Sequence, residues 1–129
     1  MNTAQAQSLV TRLLRLMEDR DLETAESLMA AEAKITFPGG HSFTSQRQVV
    51  DAAGGRYQWI KKRFDALEAF TQDDKTIVYV RGTLYGVNLY DVSFSDVRFI
   101  DRFVIKDGLI IQQDVWNDLA ESGVLSSQN

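Results

Sequence analysis

The chain has 129 residues, 44% of them hydrophobic and 25% charged, with a formal charge of -4 and no cysteine. That length suits one domain spanning 1–129 with a sizeable buried core, and the lack of cysteine excludes disulfides and thiolate chemistry. The acidic balance opposes attraction to phosphate backbones, no apolar run approaches a membrane span, and no basic segment near Met1 leads into an apolar stretch; no nucleic-acid or membrane partner and a cytoplasmic location are therefore expected.

Leu9, Leu13, Leu16 and Met17 recur at helical spacing, with Val10 and Leu14 beside them and Arg12, Arg15 and Glu18 mostly off the stripe. This predicts an amphipathic helix. Asp21 caps a second, shorter helix that buries Leu22, Ala25, Leu28 and Met29. Ala33, Ile35 and Phe37 alternate into a first strand, which Pro38-Gly39-Gly40 stops. From Ser45 to Lys62 the pattern returns to helix, with Val49, Val50, Ala53, Tyr57 and Ile60 on one side and a bend at Gly54-Gly55. Lys61-Lys62-Arg63, the only basic cluster, reads as the solvated end of that helix.

Four strands follow, over Phe64–Thr71, Thr76–Val87, Phe94–Ile105 and Leu109–Asp118. Gln72-Asp73-Asp74-Lys75 and Lys106-Asp107-Gly108 have hairpin chemistry, and the Asn88–Ser93 connection is less defined. The polar tail Ser126-Ser127-Gln128-Asn129 is expected to fray. The fold class is α+β: three helices, then an antiparallel meander, with one strand inserted early.

The third of these strands carries the sharpest chemical question. Alternation puts Val97, Phe99, Asp101, Phe103 and Ile105 on one face, apolar except for Asp101. A carboxylate in that setting needs a hydrogen-bond partner, a raised pKa or a ligand that uses it. The plainer alternative is a half-exposed strand end with Asp101 paired to Arg98 or Arg102. On the opposite face Ile100 and Val104 alternate with those arginines, and Trp116 on the last strand points the same way, so a homodimer through the outer sheet face is expected.

Met17-Glu18-Asp19-Arg20-Asp21-Leu22, Phe99-Ile100-Asp101-Arg102-Phe103, and Lys106-Asp107-Gly108-Leu109-Ile110 followed by Asp114-Val115-Trp116-Asn117-Asp118-Leu119 together resemble the SnoaL-like group of the nuclear transport factor 2-like superfamily. Ketosteroid isomerases, polyketide cyclases, dehydratases and epoxide hydrolases belong to that superfamily. The resemblance spans almost the whole chain and implies a cone-shaped, cystatin-like fold: three N-terminal helices packed on a strongly curved, mainly antiparallel sheet, with a hydrophobic pocket at its mouth. It places Asp101 where the isomerases keep a protonated carboxylic acid. Their general base is replaced by Phe37 and their tyrosine by Leu13, so the isomerase mechanism is not expected.

Polyketide cyclases of this group use an acid on the final strand. Matching the Asp-Val-Trp segment assigns that role to Asp114; counting from Gly108 assigns it to Val115. A two-residue Asp107-Gly108 loop would pair Asp101 with Asp114, whereas a three-residue loop with a bulge would pair it with Gln113. In the second register Gln113 and Asn117 line the pocket and Asp114 faces outward, which agrees with the family's pocket parity and is preferred. Tyr57 is a candidate to point its hydroxyl beside Asp101, or to sit in the core with that hydroxyl at the rim. His41, the only histidine, suits general-base work if it is not simply an exposed loop residue. Arg81 lacks the aspartate two residues on that an epoxide-hydrolase relay needs, leaving an anion clamp or a surface arginine. No metal or other cofactor is expected.

The candidate catalytic residues are thus Asp101, Tyr57, Asp114 and His41, and the candidate binding residues Phe37, Arg81, Phe99, Phe103, Gln113 and Asn117. The expected function is acid/base chemistry, of isomerase, cyclase or dehydratase type, on a cyclic or aromatic hydrophobic molecule. The alternatives are a non-catalytic binding protein for such a ligand and a dimeric interaction module with a plugged cone.

Overall fold

A computed structural model describes residues 1–126, so most of the expected polar tail lies outside the described residues. Helix α1 (Thr3–Glu18) opens on a reciprocal cap, in which Asn2 and Gln5 each donate a backbone N–H to the other's side chain. It buries Ala6, Val10, Leu13 and Leu14, and each fully buried leucine contributes roughly 1.5–3 kcal/mol. Helix α2 (Leu22–Ser27) starts at the Asp21 cap as expected. Leu28 and Met29 are buried, but beyond its end, where Met29 opens strand β1 (Met29–Phe37).

A 3-10 turn over Pro38–Gly40 leads into β2 (His41–Phe43), a short strand in a segment expected to be loop; it pairs back onto the end of β1. Helix α3 (Gln46–Ala53), capped by the Ser45 hydroxyl, ends at Gly54, and β3 (Tyr57–Gln72) begins at once. The expected helix to Lys62 is therefore corrected. The glycine pair ends the helix rather than bending it, because it is followed by Tyr57, Trp59 and Ile60, aromatic and β-branched residues that suit a pleated surface. Strands β4 (Lys75–Asn88), β5 (Ser93–Lys106) and β6 (Leu109–Asn117) match the expected meander, and a short helix α4 (Leu119–Ser122) follows.

The six strands form one sheet in the order β2-β1-β6-β5-β4-β3. β1 runs parallel to β6 and all other pairs are antiparallel. The helices lie on the inner face of this curved sheet, where Val10, Leu13 and Leu14 of α1 join Val78, Val80, Leu84, Phe99 and Phe103 in one core. Asn88, fully buried, organises the β4–β5 connection: its side-chain oxygen accepts from Tyr90 N and Val92 N, and its amide donates to Val124 O. Among the described residues no helix is long and apolar enough to cross a membrane.

The curvature is written into β3 and β4. β3 carries extra, unpaired residues at Gln58 and Asp65, and β4 has glycines at 82 and 86 on the inner face. A Cβ at Gly82 would lie 1.9 Å from the Arg63 carbonyl oxygen, and one at Gly86 2.2 Å from that of Trp59. Only glycine lets β3 fold over β4 this closely. A third irregularity sits in the β5–β6 hairpin. Its turn is the two-residue Asp107-Gly108, both at positive φ (52° and 76°), with Lys106 opposite Leu109. The register then shifts by one residue at Ile111, so that Asp101 faces Val115 rather than either of the two partners expected.

Gly82→Ala should lower stability by about 3 kcal/mol, the upper end for overpacking. Gly55→Ala, whose Cβ would meet nothing closer than 3.8 Å, should be neutral or add up to about 1 kcal/mol. Urea unfolding of the two variants checks the contrast.

Candidate functional site

The inner face of β5 presents Val97, Phe99, Asp101, Phe103 and Ile105, all buried, with Asp101 at 0% exposure. Its lateral neighbours are Val80 on β4 and Val115 on β6. Neither carboxylate oxygen has a hydrogen-bond partner among the described residues. The nearest cation is Lys62, whose Nζ lies 3.5 Å from Asp101 Oδ2, an ion pair longer than a well-made hydrogen bond. Arg98 and Arg102, the partners considered from sequence, occupy the outer face and bind Asp118 (2.7 Å) and Asp114 (3.3 Å).

Lys62 belongs to β3, not to a helix end, and shares the inner face with Ile60 and Phe64. Its ammonium sits 5.3 Å from the Phe99 ring centroid. Its backbone is held by α1: Glu18 Oε2 accepts from Lys62 N at 2.7 Å and Arg15 Nη1 donates to Lys62 O at 3.0 Å, while Arg15 and Glu18 pair with each other at 2.8 Å. Burial pushes the Asp101 carboxyl above the usual carboxylate range, and Lys62 only partly opposes this. Burial likewise raises the Tyr57 hydroxyl, against the pull of Lys62, Arg20 and Arg56.

These groups surround a cavity of about 90 Å³, walled also by Gln46, Gln113, Val115 and Asn117. It shares Phe37, Val49, Ala53, Arg56 and Tyr57 with a wider vestibule of about 580 Å³. The inner chamber has room for a few waters or the edge of a ring, well short of the roughly 300 Å³ at which pockets for drug-sized ligands begin.

Tyr57 opens β3 and lines both spaces. Gln113 is buried and accepts from Gln46 Nε2 at 2.9 Å; Asn117 lines the inner cavity and its side chain accepts from Leu119 N. Asp114 turns outward to Arg102 and Gln112, because the shift at Ile111 sends its neighbours inward. The expected parity is thus observed, through a register not foreseen. Phe99 lines the cavity, whereas Phe103 is fully buried in the core. Phe37 sits in the shared wall, edge-on to Phe43 at 5.6 Å. His41 is exposed on β2 and borders the vestibule, not Asp101. Arg81 points to the outer face, 3.4 Å from Glu68, and lines neither the inner cavity nor the vestibule.

Lys62, Gln46, Glu18, Arg20 and Arg56 also line the cavity and were not singled out from sequence. The alternation Ile60-Lys62-Phe64 was the available signal for Lys62. Among the described residues no group of histidine and acidic side chains could hold a metal ion.

A model of the SnoaL-like domain matches residues 10–113. The chain belongs to the SnoaL-like domain family. No curated protein matches it. TerC, crystallised with polyporic acid, is 17% identical, with a TM-score of 0.75 over 93% of this chain and 97% of that one. An NTF2-like protein of unknown function from Burkholderia pseudomallei K96243 is 16% identical, with a TM-score of 0.78 over 98% and 100%. A protein assigned as a SnoaL-like polyketide cyclase from Jannaschia sp. CCS1 is 15% identical, with a TM-score of 0.71 over 97% and 94%. At these identities the likeness speaks to the fold, an α+β cone of NTF2-like, cystatin-like type.

In this SnoaL-like domain, Lys62→Met removes the cation paired with a buried carboxylate and should cost about 3–5 kcal/mol at pH 8. Because the folded-state pKa of Asp101 is raised, its contribution to stability is complete below the unfolded value and is lost as pH rises through the folded one. The deficit should therefore shrink at pH 5, and the double variant Lys62→Met/Asp101→Asn should recover stability at pH 8. Asp101→Asn alone should gain on the wild type as pH rises. Urea unfolding at both pH values reads all four proteins.

Proposed function

We propose that this SnoaL-like domain is a cofactor-independent enzyme that moves a proton on a cyclic or aromatic small molecule, in an isomerase, cyclase or dehydratase type of reaction. The observation that carries this reading is the Asp101 carboxyl, fully buried, without a hydrogen-bond partner, beside the Lys62 ammonium and facing a cavity. A carboxyl that keeps its proton further toward neutral pH is a hydrogen-bond donor to a substrate carbonyl. As negative charge builds on that oxygen, Asp101 gives up its proton and Lys62 balances the carboxylate left behind. A solvent water in the vestibule takes the proton from carbon as Asp101 gives its own to the substrate oxygen, and solvent reprotonates Asp101 when the product leaves. Tyr57 and the Gln46–Gln113 pair orient the substrate. The small-molecule complex of TerC supports a small organic ligand as occupant.

Leu13, fully buried, and Phe37 offer neither the tyrosine nor the base of a ketosteroid isomerase, so the chemistry rests on Asp101 and Lys62. The small inner chamber favours one second reading, a protein that binds such a ligand without turning it over. Deuterium exchange at the α-carbon of cyclic ketones and hydroxyquinones in D₂O, followed by proton NMR, separates the two. Acceleration by the wild type and a fall of roughly a hundredfold in Asp101→Asn is the expected result for catalysis. Binding without acceleration would leave the binder.

The same proposal includes a homodimer through the outer sheet face. Ile100 and Trp116 are 42% and 53% exposed there, opposite one another on β5 and β6, beside a groove of about 820 Å³. Sedimentation equilibrium at micromolar concentration should report twice the 14.6 kDa chain mass, and Trp116→Glu should return the monomer.

A further inference from the structure

Five charged residues line the inner cavity: Glu18, Arg20, Arg56, Lys62 and Asp101. Three are neutralised within the fold. Both Glu18 oxygens are engaged, one by Arg15 and the other by the Lys62 N–H, and Asp101 stands against Lys62. Arg20 and Arg56 are left over. Arg20 Nη1 donates to the Met17 carbonyl, which supplies hydrogen bonding but no charge, and among the described residues neither guanidinium forms an ion pair. Arg20 also occupies a left-handed turn position after α1 (φ 59°), where glycine or asparagine would be less strained. In a chain of net charge -4, the cavity wall thus carries two cations without an ion-pair partner among the described residues. Arg56 is half-buried and Arg20 exposed, and a positive surplus at the rim of a cavity attracts ligands of the opposite sign.

From this placement we infer that the ligand is an organic acid, whose anionic group, a carboxylate or an ionised enol or phenol, docks on Arg20 and Arg56 while its carbon frame occupies the vestibule. The inference rests on the pocket reading proposed above and narrows it to a substrate class. Arg56 borders both the inner chamber and the vestibule, so an anion held there leaves the neighbouring ring edge directed toward Asp101 and Lys62. The guanidinium fork suits the two coplanar oxygens of a carboxylate. Asp101 is paired with Lys62 and so adds no net negative charge to repel such a ligand.

Titration calorimetry with 2-naphthoate and with its uncharged isostere 2-naphthamide tests this. The wild type should bind the acid at least tenfold more tightly than the amide, and added salt should weaken the acid alone. Arg20→Gln and Arg56→Gln should each weaken the acid more than the amide and so reduce that preference. The salt series needs no variant, so the test survives a variant that fails to fold. Equal affinity for both compounds, or a preference indifferent to both arginine variants, would overturn the organic-acid inference and leave the pocket standing. Binding of neither compound in the millimolar range would overturn both.

Discussion

Burying one carboxylate in an apolar sheet face obliges much of the rest of this molecule to be where it is. At 3.5 Å the Asp101–Lys62 attraction is worth roughly 5 kcal/mol at an effective dielectric of 20, and desolvating each ion costs several kcal/mol. The two quantities nearly cancel, so the pair is a poor source of stability. It is nonetheless held in place with some care: Lys62 extends from β3 across β4, its ammonium rests near the Phe99 ring, and Arg15 and Glu18 of α1 grip its peptide. A pair of little net stabilising value that is nonetheless positioned by three elements is consistent with the ligand-directed role proposed for it.

Reaching Asp101 from β3 depends on the curl of the sheet. In the pairing register Lys62 stands opposite Leu84, which stands opposite Val97, a full four residues along β5 from Asp101. The folding of β3 over Gly82 and Gly86 shortens that path. Single unpaired residues then decide which side chains enter the cavity. The shift at Ile111 sends Gln113, Val115 and Asn117 inward and leaves Asp114 to Arg102; without it the inner wall of β6 would carry a second carboxylate. The chemistry of the chamber is thus set as much by strand irregularities as by residue choice.

Much of this was legible beforehand. Periodicity located the first two helices and the last three strands, the order of motifs pointed to the family, and strand alternation alone placed Asp101 inward. Lys62 was not legible, because the apolar spacing before Gly54-Gly55 extends into Tyr57 and Ile60 and mimics a longer helix; that error turned an inward lysine into a solvated one. The partner of Asp101 was sought among its sequence neighbours, although residues adjacent to an inward strand position necessarily point outward. Bulges at Gln58, Asp65 and Ile111 leave no periodic trace, so neither hairpin register considered was the one adopted. Arg81 stands as the surface arginine that was one of its two readings, and His41 was singled out by residue type, which says nothing of facing.

The grip of α1 on β3 has one more effect. β3 is the outermost strand of the sheet, 16 residues long, with Trp59 and Phe70 exposed along it. Such a rim is a template on which another chain can add a strand. Here side chains of α1 occupy part of it: Glu18 takes the Lys62 N–H, Arg15 its carbonyl, and Gln7 Nε2 the carbonyl of Leu67 at 3.1 Å. At the other rim, β2 is only three residues long. The helix therefore acts as a surrogate strand, and growth of the sheet from copy to copy is discouraged by the same contacts that hold Lys62 in place.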